Sequence, residues 1–154
     1  MTTEKFESFY IIGLSVRTRN EDQHLTNDIY NLWDVFMKKE TIHRIPNKLE
    51  NTLYGVYTDY ENRDSGYYTA IVGCKVSTLD TIPDGMIGIT INNGTYSKFI
   101  AKGDVTKNAI PDTWAKIWKS NLNRTFSTDF EVYDKRAMNP VNAEVDIFVG
   151  VNEL

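Results

Sequence analysis

A single carboxylate set among aromatic residues is the feature of the sequence with the clearest chemical meaning. Glu131 lies in the strand-like segment 129–134. Because strand side chains alternate between faces, Glu131 shares a face with Tyr133, whereas Phe130 lies on the opposite face. A carboxylate among rings has lost water, so its charge needs a cation or a hydrogen-bond donor. We therefore expect the polar centre of a ligand pocket here; the alternative is an ordinary solvent-facing strand acid.

The sequence around this carboxylate resembles an earlier segment, which indicates an internal duplication. Aligning 53–58 with 129–134 leaves Gly55 where Glu131 stands. A second match, in the same order and at nearly the same offset, joins segments 71–73 and 148–150. We expect a doubled unit in which the lone carboxylate faces a position without a side chain.

The periodicity of apolar residues predicts the order strand, helix, strand, strand in each half. One helix is expected at 27–40, capped by Thr26 or Asn27, and a second begins near Pro111. The residues at helical spacing are Ile29, Leu32, Trp33, Phe36 and Met37, then Trp114, Ile117, Trp118 and Leu122. Strands are expected at 6–16, 52–60, 67–76, 130–135 and 144–151, with a bent or split strand over 86–91 and 95–101.

The order of these elements predicts an α+β domain made of two β-α-β-β units. The strands of each unit would bury one face against its helix, giving an antiparallel sheet with two helices on one face and a central groove. The 154 residues suffice for one domain with a substantial core. We expect a single domain with pseudo-repeats at about 5–80 and 84–154.

Composition and charge argue against several classes of function. The net charge of −4, without a block of Lys or Arg, argues against direct nucleic-acid binding. No apolar segment approaches the length of a membrane span. The single cysteine, Cys74, lies in an apolar run with no signal peptide ahead of it, which predicts a buried residue in a cytoplasmic protein. His24 and His43 lack partners at metal-ligand spacing, so neither a metal nor a cofactor is expected.

Several short motifs occur in an order that is typical of a known family. They are Gly94-Thr95-Tyr96-Ser97-Lys98-Phe99, Gly103, Ile110-Pro111-Asp112-Thr113-Trp114, Phe130-Glu131-Val132-Tyr133-Asp134 and Ala143-Glu144-Val145-Asp146-Ile147-Phe148-Val149-Gly150-Val151. In this order the sequence resembles GyrI-like domains, also known as AraC-type effector-binding domains. The resemblance covers nearly the whole chain and is strongest from Gly85 onward.

This resemblance implies two pseudo-symmetric units with a groove between their helices. In that family the groove takes up bulky, often cationic, aromatic compounds, and a strand carboxylate that corresponds to Glu131 anchors them. Many relatives carry the domain behind a helix-turn-helix reader of DNA, for which no residues are left over here. The resemblance therefore implies a stand-alone form, whose transcriptional role would need a separate partner.

Aromatic residues near the expected groove are candidates for its walls. Beside Glu131 and Tyr133, they are Tyr54, Tyr57, Tyr68, Trp114, Trp118 and Phe148. Each well-placed ring would add about 0.5–2 kcal/mol of cation–π attraction for a bound cation. Helical spacing by itself demands only burial, so a core role is the alternative for Trp114 and Trp118, and Trp33 is expected in the core.

Three functions are compatible with these features, and we favour the first. It is a binding protein for amphipathic or cationic small molecules, acting as a sensor or as a sequestering factor. The second, known among GyrI-like proteins, is a hydrolase that opens strained electrophilic rings of DNA-alkylating natural products, with Glu131 or Tyr133 moving the proton. The third, which the family resemblance implies, is a module that contacts a protein partner such as a regulator or DNA gyrase.

Overall fold

One antiparallel sheet carries the fold. The computed structural model describes residues 2–20, 27–63 and 65–153. The strands are β1 (Thr2–Phe6), β2 (Phe9–Thr18), β3 (Lys48–Thr58), β4 (Tyr68–Val76), β5 (Ile87–Ile91), β6 (Gly94–Gly103), β7 (Arg124–Tyr133) and β8 (Ala143–Val151). The helices are α1 (Asn27–Lys38) and α2 (Ala109–Lys119), and short 3-10 turns lie at Thr41–Arg44, Lys135–Ala137 and Pro140–Asn142. The predicted α+β class is confirmed.

Strand order shows the symmetry that the sequence alignment suggested. The strands follow the order β1-β6-β8-β7-β3-β4-β2-β5, and all neighbours pair antiparallel. Exchanging β1–β4 with β5–β8 reverses this order and so leaves the sheet unchanged. The halves meet where β3 pairs with β7, and Gly55 lies directly opposite Glu131 in that pair. The carboxylate therefore lies at the centre of the pseudo-symmetric sheet.

Each half opens with two strands, whereas the sequence pattern predicted one strand at 6–16 for the first half. β1 pairs with β6 of the second half, and β5 pairs with β2 of the first half. In the sheet, β1 lies at one end and β2 lies near the other, so one straight strand cannot form both. The chain therefore breaks at 7–8 and again at 92–93. Because the two outer strands are exchanged, the halves form one continuous sheet.

Some element boundaries also differ from the predicted ones. α1 ends at Lys38 rather than at residue 40, and α2 ends at Lys119, before Leu122. β7 begins at Arg124 rather than at residue 130, because its pairing with β8 continues past a register shift. The proposed cap Thr26 and the solitary His24 lie outside the described residues. In the described chain, no helix is long and apolar enough to cross a membrane.

Both helices pack on the same face of the sheet. Ile29 and Phe36 of α1 and Ile117 of α2 are buried there, and their helical spacing directs one apolar stripe of each helix at the strands. Cys74 is buried in the same layer, where desolvation raises the pKa of its thiol to about 11. It is the inert, buried residue that the sequence predicted. The opposite face buries a separate, mainly aromatic cluster that includes Phe130.

Candidate functional site

A cavity of about 750 Å³ lies between the helices, over the central strands β3 and β7. It forms because α1 packs on β2 and β4 while α2 packs on β6, which leaves the middle of the sheet uncovered. Its lining residues are Ile29, Tyr30, Trp33 and Met37 of α1, Asn51, Thr52, Leu53 and Tyr57 of β3, Glu131 and Tyr133 of β7, Val105, Thr106 and Ile110 at α2, and Asp134, Lys135, Ala137, Met138 and Pro140 of the following loop. The volume suits a drug-sized ligand, and the predicted central groove is confirmed.

Glu131 lies fully buried at the floor of this cavity, with 0% of its surface exposed. Its Oε2 accepts hydrogen bonds from the Tyr57 hydroxyl at 2.9 Å and from Trp114 Nε1 at 2.7 Å. Its Oε1 accepts a hydrogen bond from the Tyr133 hydroxyl at 2.7 Å. These donors come from β3, α2 and β7, so three separate elements fix the orientation of the carboxylate.

All three donors are neutral, and they do not replace the water that Glu131 has lost. Burial raises the pKa of its carboxyl above the usual 4.5, although the hydrogen bonds from Trp114, Tyr133 and Tyr57 oppose the rise. Among the described residues, no Lys, Arg or His forms an ion pair with Glu131. The ionised carboxylate therefore lacks a compensating positive charge.

The same environment keeps the tyrosine hydroxyls protonated. Burial, and after it the charge of Glu131, raises the pKa of Tyr57 and of Tyr133 well above 10. Both groups therefore remain donors to the carboxylate at any physiological pH. Proton exchange at the floor of the cavity is confined to Glu131 itself.

The missing side chain at Gly55 makes room for the carboxylate. A Cβ added at Gly55 would lie 2.9 Å from Glu131 Oε1 and 3.4 Å from Trp33 Cζ2. The first distance is shorter than real Cβ contacts, so a side chain at this position would displace the carboxylate. Glycine at this position thus lets Glu131 keep the orientation that its three donors fix.

The structure brings four of the eight predicted site residues together around the carboxylate. They are Glu131, Tyr57, Tyr133 and Trp114. Tyr68 and Trp118 contact this group through their rings, at centroid distances of 6.0 Å from Tyr57 and 6.4 Å from Trp114. They line a smaller space on the far side of those two rings and do not line the large cavity.

Tyr54 and Phe148 lie outside the cavity, so their prediction as wall residues is wrong. Both belong to the cluster on the opposite face of the sheet, where the Tyr54 hydroxyl donates to Glu50 Oε1 at 2.6 Å. Tyr54 precedes Gly55, which is the residue paired with Glu131, so strand alternation directs it away from the carboxylate. Phe148 lies opposite Phe130 in the pairing of β7 with β8 and shares its face.

The sequence reasoning missed three wall residues on α1. Tyr30, Trp33 and Met37 line the cavity, and the Trp33 ring packs edge-on against Tyr133 with 4.6 Å between centroids. The signal was present in their spacing. Positions 30, 33 and 37 adjoin the core positions 29, 32 and 36, so the apolar arc of α1 is wider than the part that packs on the sheet.

Replacing Tyr133 with phenylalanine is expected to raise the pKa of Glu131 further, because the variant removes one of the hydrogen-bond donors that oppose the effect of burial. The matched variant Tyr54→Phe removes one hydroxyl from the opposite face and should leave that pKa unchanged. Titration of the Glu131 side-chain carbon by ¹³C NMR measures both effects. Identical titration curves for wild type and Tyr133→Phe would show that this hydroxyl does not hold the carboxylate.

The fold and the cavity together define a GyrI-like effector-binding domain, in which two helices on a pseudo-symmetric antiparallel sheet enclose a buried carboxylate. The chain belongs to the Cass2 family of integron-associated effector binding proteins, whose family model matches residues 2–151. The match begins in β1 and ends in β8, so it includes both halves of the sheet. The resemblance read from the sequence motifs is confirmed.

Proteins of about the same length resemble this chain in sequence or in structure. The chain is 31% identical over 147 residues to Bacillus subtilis (strain 168) YobU, which is named as a transcriptional regulator, and the alignment covers 92% of this chain and 91% of YobU. An integron cassette protein from the mobile metagenome of Vibrio cholerae superposes with a TM-score of 0.75 at 25% identity, covering 98% of this chain and 95% of that protein. SAV2435, solved with bound tetraphenylphosphonium, superposes with a TM-score of 0.78 at 15% identity and 98% and 93% coverage.

Proposed function

We propose that this chain binds amphipathic aromatic cations in the cavity between α1 and α2, and that it acts as a sensor or a sequestering factor for them. The observation that carries the proposal is the buried carboxylate of Glu131, which three neutral donors hold at the floor of a cavity of about 750 Å³. Membership of an effector-binding family supports a small-molecule ligand.

Positive charge on the ligand follows from the electrostatics of Glu131. Its raised pKa means that ionisation is costly in this desolvated position. A cation close to the carboxylate offsets this cost, and the attraction between them is stronger than in water because the surroundings are less polarisable. A neutral ligand brings no such gain, and an anion would add repulsion.

Aromatic and apolar character follows from the walls. Tyr30, Trp33, Tyr57 and Tyr133 present rings to the cavity, and each well-placed ring attracts a cation by about 0.5–2 kcal/mol. Burial of the flat apolar surface of a ligand adds roughly 25 cal/mol per Å². These terms favour a delocalised, ring-bearing cation over a small, strongly hydrated one.

Sensing and sequestration both begin with this binding event. The name of YobU as a transcriptional regulator supports the sensor role, which requires a separate partner that responds to occupancy. Sequestration requires affinity alone. The hydrolase alternative, with Glu131 or Tyr133 in catalysis, predicts a product whose mass has increased by one water, and binding predicts recovery of the unchanged compound.

Tetraphenylphosphonium and tetraphenylborate test the proposal, because they have nearly the same shape and opposite charge. The phosphonium is also the compound held by SAV2435 in the same fold. We expect the phosphonium to bind at least about tenfold more tightly than the borate, as measured by isothermal titration calorimetry at neutral pH. Equal affinities would show that the cavity selects for apolar area alone and would overturn the cationic assignment.

A further inference from the structure

A second cavity, of about 420 Å³, lies beyond the Trp114 and Tyr57 rings, and its chemistry is opposite to that of the first. Its lining includes three arginines and two aromatic rings, namely Arg19, Arg63, Arg124, Trp118 and Phe126. No Asp or Glu occurs among the described residues that line it. Glu21, Asp22 and Asp64, which are close in sequence, lie outside the described residues. We refer to this space as the arginine cavity.

Arg124 is the most deeply buried of the three arginines that line this cavity. It is only 7% exposed, and its Nη2 donates to Asp129 at 2.7 Å, but its buried Nε has no hydrogen-bond partner in the described structure. A buried guanidinium N–H without an acceptor is costly, so the hydrogen-bonding capacity of Arg124 is only partly used within the described structure. Asp129 also accepts from the Gly150 amide and the Tyr60 hydroxyl, so Arg124 Nη2 is one of three donors to this carboxylate.

Two arginine side chains pack against the ring of Phe126. The guanidinium carbons of Arg124 and Arg63 lie 4.2 Å and 4.9 Å from its centroid. Phe126 holds this position with a φ of 54°, a left-handed conformation that a bulky residue rarely adopts. Arg124 is paired with Asp129, whereas Arg63 forms no ion pair with any described residue.

We propose that the arginine cavity is a second ligand site, which binds an aromatic carboxylate. The carboxylate would accept from the guanidinium groups of the exposed Arg63 and Arg19 and from the face of Arg124 that lines the cavity, since guanidinium N–H groups match the geometry of carboxylate oxygens. The ring of the ligand would lie against Phe126 and Trp118. The site is separated from Glu131 by Trp114 and Tyr57, so it stands independently of the cation-binding proposal.

Two tryptophans make the two cavities separately observable. Trp33 lines the large cavity, and Trp118 lines the arginine cavity. We would titrate the full chain with 2-naphthoate and follow the indole N–H signals by ¹H–¹⁵N NMR, assigned through Trp33→Phe and Trp118→Phe. The neutral amide 2-naphthamide, with the same rings, is the matched ligand control.

We expect 2-naphthoate to shift the Trp118 signal in a saturable manner and to bind more tightly than 2-naphthamide. Arg63→Gln should weaken binding roughly threefold to fivefold, as expected for one exposed charge, and Arg124→Lys should weaken it about tenfold, because a lysine cannot reproduce the guanidinium fork. Lys39→Gln removes an equal charge beyond the far end of α1 and should have no effect.

Three results would each overturn the proposal. They are equal affinity for the acid and the amide, a shift confined to Trp33, and unchanged affinity in Arg63→Gln and Arg124→Lys. Because Arg63 is exposed, its substitution leaves the fold intact and keeps the test decisive even if Arg124→Lys destabilises the protein.

Discussion

The Glu131→Gln variant is expected to bind tetraphenylphosphonium roughly 30- to 150-fold more weakly than wild type. This factor corresponds to about 2–3 kcal/mol, the usual cost of removing one partner of a desolvated charge pair. Shape and apolar contacts stay nearly the same, so the loss reports charge alone. Isothermal titration calorimetry at neutral pH measures the two dissociation constants.

The hydrogen bonds around Glu131 allow this variant to fold. Trp114 Nε1 can only donate, so the amide oxygen of the glutamine must take the place of Oε2, where it also accepts from Tyr57. The amide nitrogen then faces the Tyr133 hydroxyl, which can rotate and accept. The variant therefore keeps all three contacts in the cavity floor.

Unfolding measurements provide an internal check on the same variant. Because the pKa of Glu131 is raised in the folded state, the folded protein holds its proton more firmly than the unfolded chain. The stability contribution of the protonated group is fully present below the unfolded value near 4.5 and is lost as pH rises through the higher folded pKa. Glu131→Gln does not titrate, so its stability should exceed that of wild type increasingly as pH rises.

A surface variant serves as the control for affinity. Glu4→Gln removes the same charge from the exposed strand β1 and should leave the dissociation constant within about twofold, because exposed charges are screened. Wild-type affinity in Glu131→Gln would contradict the central role of the carboxylate, and a loss of equal size in Glu4→Gln would assign the effect to net charge.

The fold could be predicted because its patterns are local. Helical spacing at Ile29 and Phe36, and again at Trp114 and Trp118, is set by burial of one helix face and is visible in any single sequence. The division of the opening strand could not be predicted in the same way. β1 pairs with β6 of the other half, and the residues between 6 and 9 do not indicate which distant strand will be the partner.

The site was predictable where strand alternation alone decided it. Glu131 and Tyr133 share a face of the sheet, as the alternation predicts. Tyr54 was predicted as a wall residue, but it precedes Gly55 and therefore lies on the face opposite to the cavity. Trp33 was assigned to the core because its helical position satisfied burial. Its contact with Tyr133 depends on how far α1 lies from the centre of the sheet, and helical spacing does not determine that distance.

The central pairing of Gly55 with Glu131 leads to the second large expected effect. Gly55→Glu and Gly55→Gln place side chains of nearly equal volume where a Cβ already approaches Glu131 Oε1 to 2.9 Å. Both variants should be destabilised by this crowding. Their difference isolates charge, because only the glutamate variant sets a second carboxylate beside the first in a desolvated floor.

We expect Gly55→Glu to be less stable than Gly55→Gln at neutral pH, with a gap that closes in acid. Like charges that share a site raise the proton affinity of the pair above that of Glu131 alone. The folded glutamate variant then binds more protons than its unfolded chain, so its stability falls as pH rises above about 4.5 and through the raised pKa values. Each unit of elevation costs about 1.4 kcal/mol once pH exceeds them.

Urea unfolding of the two variants between acid and neutral pH measures this gap directly. The glutamine variant adds no charge at position 55, so the pH dependence of its unfolding free energy reflects Glu131 alone in the crowded site. It therefore serves as the baseline. Parallel stability curves would mean that a carboxylate at this position does not reach Glu131, and the pseudo-symmetric centre would then not be a shared electrostatic site. A gap that widens with pH ties the symmetry of the sheet to its chemistry, because it shows that a second carboxylate at the equivalent position of the other half destabilises the centre of the sheet once both groups ionise.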